Sequence, residues 1–90
     1  MSERTYKYTV PDDGEPIAMP RGAVILCAQA QHGRATIWAR VDIEAPPVSR
    51  LILALPTGAL VRDGLAYIGT AQFHGGAFVL HIFDGGEVAP

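Results

Sequence analysis

The sequence predicts an all-β domain, a small antiparallel β-sandwich or flattened barrel of about seven short strands. Three observations carry that reading. Turn-forming clusters recur regularly along the chain: PDDGEP, MPRG, QHGR, EAPPVS, PTG, RDG, HGG and DGG. Between them lie short runs rich in Val, Ile, Tyr, Phe and Thr, which is how strands look when glycine and proline punctuate them. No window of helical length keeps an apolar period of 3.6 without meeting a glycine or a proline. The candidate strands are 5–10, 15–19, 23–31, 35–43, 50–55, 58–61, 66–73 and 77–83. They belong to a single domain over 1–90, with loose ends at 1–3 and 85–90.

The first two segments end at PDDGEP and MPRG; the next two can be aligned residue by residue. Taking His32-Gly33 as a two-residue type I′ turn, Gly supplies one positive φ and His tolerates the other better than most residues do. Ala30 then faces Ala35, Ala28 faces Ile37, Leu26 faces Ala39 and Val24 faces Val41, an entirely apolar face expected in the core. The reverse face pairs Gln31 with Arg34, Gln29 with Thr36, Cys27 with Trp38 and Ile25 with Arg40. A one-residue slip would mix the two sets, so the alternation fixes the register.

After the less patterned 50–55 and 58–61, a second hairpin turns at Gly75-Gly76 or through the four-residue loop HGGA. It pairs Phe73 with Phe78, Ala71 with Leu80 and Gly69 with Ile82 on an apolar face. Gln72, Thr70 and Ile68 lie opposite Val79, His81 and Phe83 on a mixed one, as expected for a pocket or an interface. Packing the two hairpins face to face gives the sandwich.

Composition narrows the functions. Of the 90 residues, 49% are hydrophobic and 18% charged, ample for a core and unlike a disordered chain. So much apolar material on so short a chain predicts a homo-oligomer, most simply a dimer. The net charge of −2, with Lys7 and six scattered arginines, leaves no basic patch for direct nucleic-acid binding. A single cysteine, Cys27, excludes an intrachain disulfide framework. The N-terminal MSERTYKYTV lacks a secretory h-region, and no apolar run reaches the roughly 20 residues of a membrane-spanning helix. A cytoplasmic protein without membrane attachment is expected.

Catalytic chemistry finds little support. Ser2 and Ser49 sit at an end and beside prolines, and Cys27 falls mid-strand, where a small apolar role is the default. His32, His74 and His81 show no metal-ligand spacing, so neither metal nor cofactor is expected. The HGG and DGG glycines lack the following helix of a phosphate cradle. The expectation is a non-enzymatic protein.

Trp38 and Arg40, with Gln29, Gln31 and Arg34 beside them, combine an aromatic platform with adaptable hydrogen bonding, and Trp and Arg are enriched at interface hot spots. The alternative is that Trp38 covers a second small core under Arg40. Both readings hold if that second core is a subunit interface. Thr70, Gln72 and His81 form the second candidate surface.

Read end to end, the segments YKYTV, IAMPRGAVILCAQAQHG, IWARVD, PTG and YIGTAQFHGGAFVLHIFD resemble a family of small proteins of unknown function from phages and prophages. The resemblance implies a compact soluble β domain and no established reaction. In type, the chain is similar to short phage proteins that inhibit host defence by binding, of which anti-CRISPR proteins are one class. That implies a host protein partner such as a CRISPR effector complex. Proteins that sequester a small anionic nucleotide signal are the alternative: there Trp38 and Arg40 would stack on and pair with the nucleotide, and Thr57-Gly58 or Thr70 and Gln72 would donate. A structural or assembly accessory of the phage is the third reading.

Overall fold

A computed structural model describes residues 2–88. Its seven strands are β1 (Glu3–Thr9), β2 (Ile17–Pro20), β3 (Val24–Gln31), β4 (Arg34–Asp42), β5 (Pro47–Pro56), β6 (Ala66–Phe73) and β7 (Phe78–Val88). They form two antiparallel sheets, one ordered β1-β4-β3 and the other β2-β5-β7-β6. The all-β expectation holds. The two sheets stay separate among the described residues and close no barrel. Among the described residues, no helix is long and apolar enough to cross a membrane.

The turns act where their residues require it. His32 and Gly33 have φ of 52° and 74°, the left-handed pair of a type I′ hairpin. The β6–β7 hairpin closes through the HGGA loop as a short 3-10 turn over His74–Gly76. Both hairpins take the expected register near their turns, from Gln31↔Arg34 back to Cys27↔Trp38 and from Phe73↔Phe78 back to Gly69↔Ile82.

Farther from the turns the expected registers fail. A bulge between Ile25 and Cys27 shifts the pairing to Ile25↔Ala39 and Val24↔Arg40. An extra residue in one strand reverses which face the following side chains take. Ala28, Ile37, Ala39 and Val41 are buried as expected, but Val24 and Leu26 are 55% and 51% exposed, and Ile25 packs against the core instead. A second bulge pairs Tyr67 rather than Ile68 with Phe83.

Three further expectations need correction. Residues 58–61 form no strand. Both β5 and β6 run antiparallel to β7, so residues 57–65 are the connection that must travel back along the sheet between two parallel strands. Residues 85–88, expected to be loose, complete β7. Glu3 opens β1 and Ser2 is hydrogen-bonded to Asp42 and Glu44; Met1, Ala89 and Pro90 lie outside the described residues.

The core between the sheets is built from Ile37, Ala39 and Val41 of one and Met19, Ile52, Ala71, Phe73 and Ile82 of the other. Small residues set how closely the sheets meet. At Gly69 a Cβ would lie 3.1 Å from the Ala28 carbonyl oxygen and 3.4 Å from its Cβ, so β3 and β6, each the edge of its sheet, are pinched together there. Beyond this point the two bulges let the seam open into a cleft of about 510 Å³, rimmed by Val24, Leu26 and Tyr67 with Arg50 and Asp84 among its lining.

Candidate functional site

The expected tryptophan surface is the outer face of the three-stranded sheet. Trp38 lies on the central strand β4, with Lys7 of β1 and Cys27 of β3 as cross-strand partners. It is half-buried, while Thr5, Lys7, Gln29, Arg34 and Arg40 around it are exposed. Thr36 on the same side is buried, its Oγ1 donating to the Arg34 carbonyl at 3.1 Å. Two pairs of polar side chains on this face are bound to one another. Arg40 donates from Nε (3.0 Å) and Nη2 to the same Glu3 oxygen, Oε1, and Lys7 Nζ donates to Gln31 Oε1 at 2.6 Å. Arg34 reaches away from the tryptophan to Asp12 at 3.5 Å.

Thr70, Gln72 and His81 occupy the four-stranded sheet. Thr70 and His81 are cross-strand partners, and Gln72 is exposed opposite Val79. The fold adds two residues to them. Thr57 Oγ1 lies 2.7 Å from His81 Nε2, His81 Nδ1 lies 3.1 Å from Thr70 Oγ1, and Thr70 Oγ1 lies 2.6 Å from Tyr67 Oη. This is a continuous hydroxyl–imidazole chain from the end of β5 to the start of β6. Each ring nitrogen has a hydroxyl partner able to donate or accept, so either tautomer is satisfied. It anchors the base of the 57–65 connection over β7. The Thr57–His81 pair has a hydroxyl, not a carboxylate, behind the imidazole, and thus lacks the group that would stabilise an imidazolium during nucleophilic attack.

The most strongly built polar group escaped the sequence reading. Arg50 forks Asp84 through Nε–Oδ1 (3.0 Å) and Nη2–Oδ2 (2.7 Å), and donates from Nη1 to the Ala23 carbonyl at 2.9 Å. Asp84 Oδ1 also accepts from the Gly86 amide at 2.8 Å, and Glu87 accepts from the Gly22 amide at 2.6 Å. The hydrogen bonds from Arg50 hold the Asp84 carboxyl below the ordinary aspartate range, and the same bonds raise the guanidinium. A signal was present: Arg50 and Asp84 each stand two residues from an isoleucine, Ile52 and Ile82, that is fully buried. A charge in phase with the core on two adjacent strands points to an inward pair.

At the end of the sandwich that carries the two hairpin turns lies a cleft of about 460 Å³. Its lining includes core residues Ala35 and Phe73, the half-exposed Phe78, and the exposed Asp12, Arg34 and His74. Phe73 and Phe78 pack with centroids 5.8 Å apart at 42°.

These features define a small two-sheet β domain with one polar, tryptophan-centred face, a cleft at the end that carries the hairpin turns and another where the β3–β6 seam opens. The chain belongs to the family described as Domain of unknown function (DUF7352), whose profile matches residues 1–90. No curated protein and no solved structure matches the chain.

Proposed function

We propose that this protein is a non-enzymatic binding module that docks on a protein partner through the outer face of its three-stranded sheet, with Trp38 as the anchor. The supporting observation is the setting of Trp38: half-buried on the central strand, ringed by exposed Lys7, Gln29 and Arg40. An aromatic platform within a rim of long polar side chains is the composition of an interface hot spot. A protein occupant is favoured there over a small anionic nucleotide, because the Glu3 carboxylate bound to Arg40 repels a phosphate, whereas a protein surface can offer groups of both signs to the pair.

The resemblance to phage and prophage proteins directs the partner search to host-defence machinery in the host cytoplasm, CRISPR effector complexes first. Self-association as a dimer is part of the same reading, supported by exposed Val24, Leu26 and Tyr67 at the open seam. Light scattering at micromolar concentration that returns only the 9.6 kDa of one chain rejects the dimer.

The decisive variant is Trp38→Ala. It is expected to keep the β circular-dichroism spectrum while weakening partner binding by about 2 kcal/mol or more, read by biolayer interferometry against purified effector complexes. A wild-type chain that ignores those complexes rejects that partner class. If Trp38→Ala unfolds, the residue is structural and the docking reading fails. If it folds and binds at full strength, the functional surface moves to Thr70, Gln72 and His81.

A further inference from the structure

The cleft between the two hairpin turns has a construction that the docking face does not use. Its depth is apolar: Ala35 and Phe73 are core residues, and Ala54 and Leu80 pack against the core beside them. Phe78 leaves nearly half its surface, 48%, exposed at the rim. A volume of about 460 Å³ lies within the range that holds small organic ligands. Such a concavity, with apolar side chains at its back and charged and imidazole side chains at its mouth, suits a molecule with an apolar body and one polar end.

The mouth indicates the sign of that polar end. Arg34 is tied only loosely to Asp12: one contact at 3.5 Å, with side chains 54% and 94% exposed. That distance is at the limit of a hydrogen bond, and a pair so exposed contributes little. Arg50, by contrast, is forked on Asp84 at 2.7 and 3.0 Å. The Arg34 guanidinium can therefore exchange Asp12 for an incoming anion, and its planar fork suits a carboxylate or sulfonate. His74 stands at the same mouth with φ of 53°, a left-handed conformation uncommon for a residue with a Cβ, and its ring N–H adds a second donor beside Arg34.

We infer that this end cleft is a binding site for a small aromatic monoanion, its ring system packed on Phe73, Phe78 and Leu80 and its charged group on Arg34 and His74. The site is independent of Trp38, so either can fail without the other.

The test uses two probes of the same shape, 8-anilinonaphthalene-1-sulfonate and its uncharged relative N-phenyl-1-naphthylamine, titrated into the folded protein and followed by fluorescence. Saturable one-to-one binding of the anion is expected. Arg34→Gln should weaken the anion by about ten-fold, one charge-assisted contact, and leave the neutral probe nearly unchanged. Ala54→Phe, which fills the cleft, should abolish both. Should that variant fail to fold, amide shifts at Gly33 and Gly75 in the wild-type chain locate the probe instead. Binding that neither substitution alters, shifts elsewhere, or no saturable binding overturns the site. Equal weakening of both probes by Arg34→Gln overturns the anionic assignment.

Discussion

Two arginines, ten residues apart, each hold a carboxylate, and the difference between them separates what folds this chain from what dresses its surface. Arg50 and Asp84 retain 13% and 18% of their side-chain exposure, their nitrogens matched one to one with the two carboxylate oxygens. Arg40 and Glu3 retain 59% and 41%, with two N–H groups converging on a single oxygen. The first pair also reaches the Ala23 carbonyl beside the other sheet, so it ties together β5, β7 and the approach to β3. The second spans neighbouring strands on the proposed docking face. A partly desolvated fork that completes several hydrogen bonds is expensive to break, whereas an exposed ion pair is screened and replaceable.

That contrast is tested most severely at Arg50. Replacing it with alanine leaves Asp84 without its counter-ion and the Ala23 carbonyl without its donor. The expected loss is about 3 kcal/mol of folding stability, measured by urea unfolding with unchanged m-value. A loss below about 1 kcal/mol would place Arg50 in the same class as Arg40 and dissolve the comparison.

A smaller and more specific signature lies in acid. The hydrogen bonds from Arg50 lower the Asp84 pKa in the folded state, so the native chain binds fewer protons there than the unfolded chain does. The resulting stabilisation is complete above the ordinary aspartate value, about 4, and is lost as pH falls through the lower folded value. Asp84→Asn removes this dependence. Below about pH 4 its stability should decline less steeply with falling pH than that of the wild type, although it begins from a lower value at pH 7. Identical slopes would show that other carboxylates govern the acid limb.

Much of this architecture was legible in the chain, and the parts that were not share a physical cause. Alternation of period two, the His32-Gly33 turn and the HGGA loop determined both hairpins close to their turns, because register there propagates from a fixed point. It was lost at the Ile25/Cys27 bulge, where Val24 and Leu26 turn outward. A bulge is settled by how the strand must bend to meet its neighbour, here β3 against Gly69, and that neighbour is distant in sequence. The segment 58–61 looked like a strand by composition but serves the return between β5 and β6, which only the sheet order reveals. Of the candidate site residues, Trp38, Arg40, Gln29, Gln31 and Arg34 share one face by register, with Arg34 at its end. The Arg34 side chain also lines the end cleft, and Thr70 and His81 gain partners, Thr57 and Tyr67, that no local pattern associates. Arg50 and Asp84 passed unnoticed because a pair 34 residues apart becomes visible only once β5 and β7 are known to be adjacent.

The smallest expected effect is on the docking face itself. A double-mutant cycle with Arg40→Ala and Glu3→Ala should return a coupling of about 0.2–1 kcal/mol, falling toward zero in 1 M salt, where the screening length is only about 3 Å. So weak a coupling suits a binding surface. A partner can separate Arg40 from Glu3 at little cost to the fold and take either charge for its own contacts, which a pair like Arg50–Asp84 does not permit. A coupling that stays above about 2 kcal/mol in high salt would mean that Arg40 is held as firmly as Arg50. The outer face of the three-stranded sheet would then be a structural surface, with Trp38 packed beneath a fixed ion pair rather than offered to a partner.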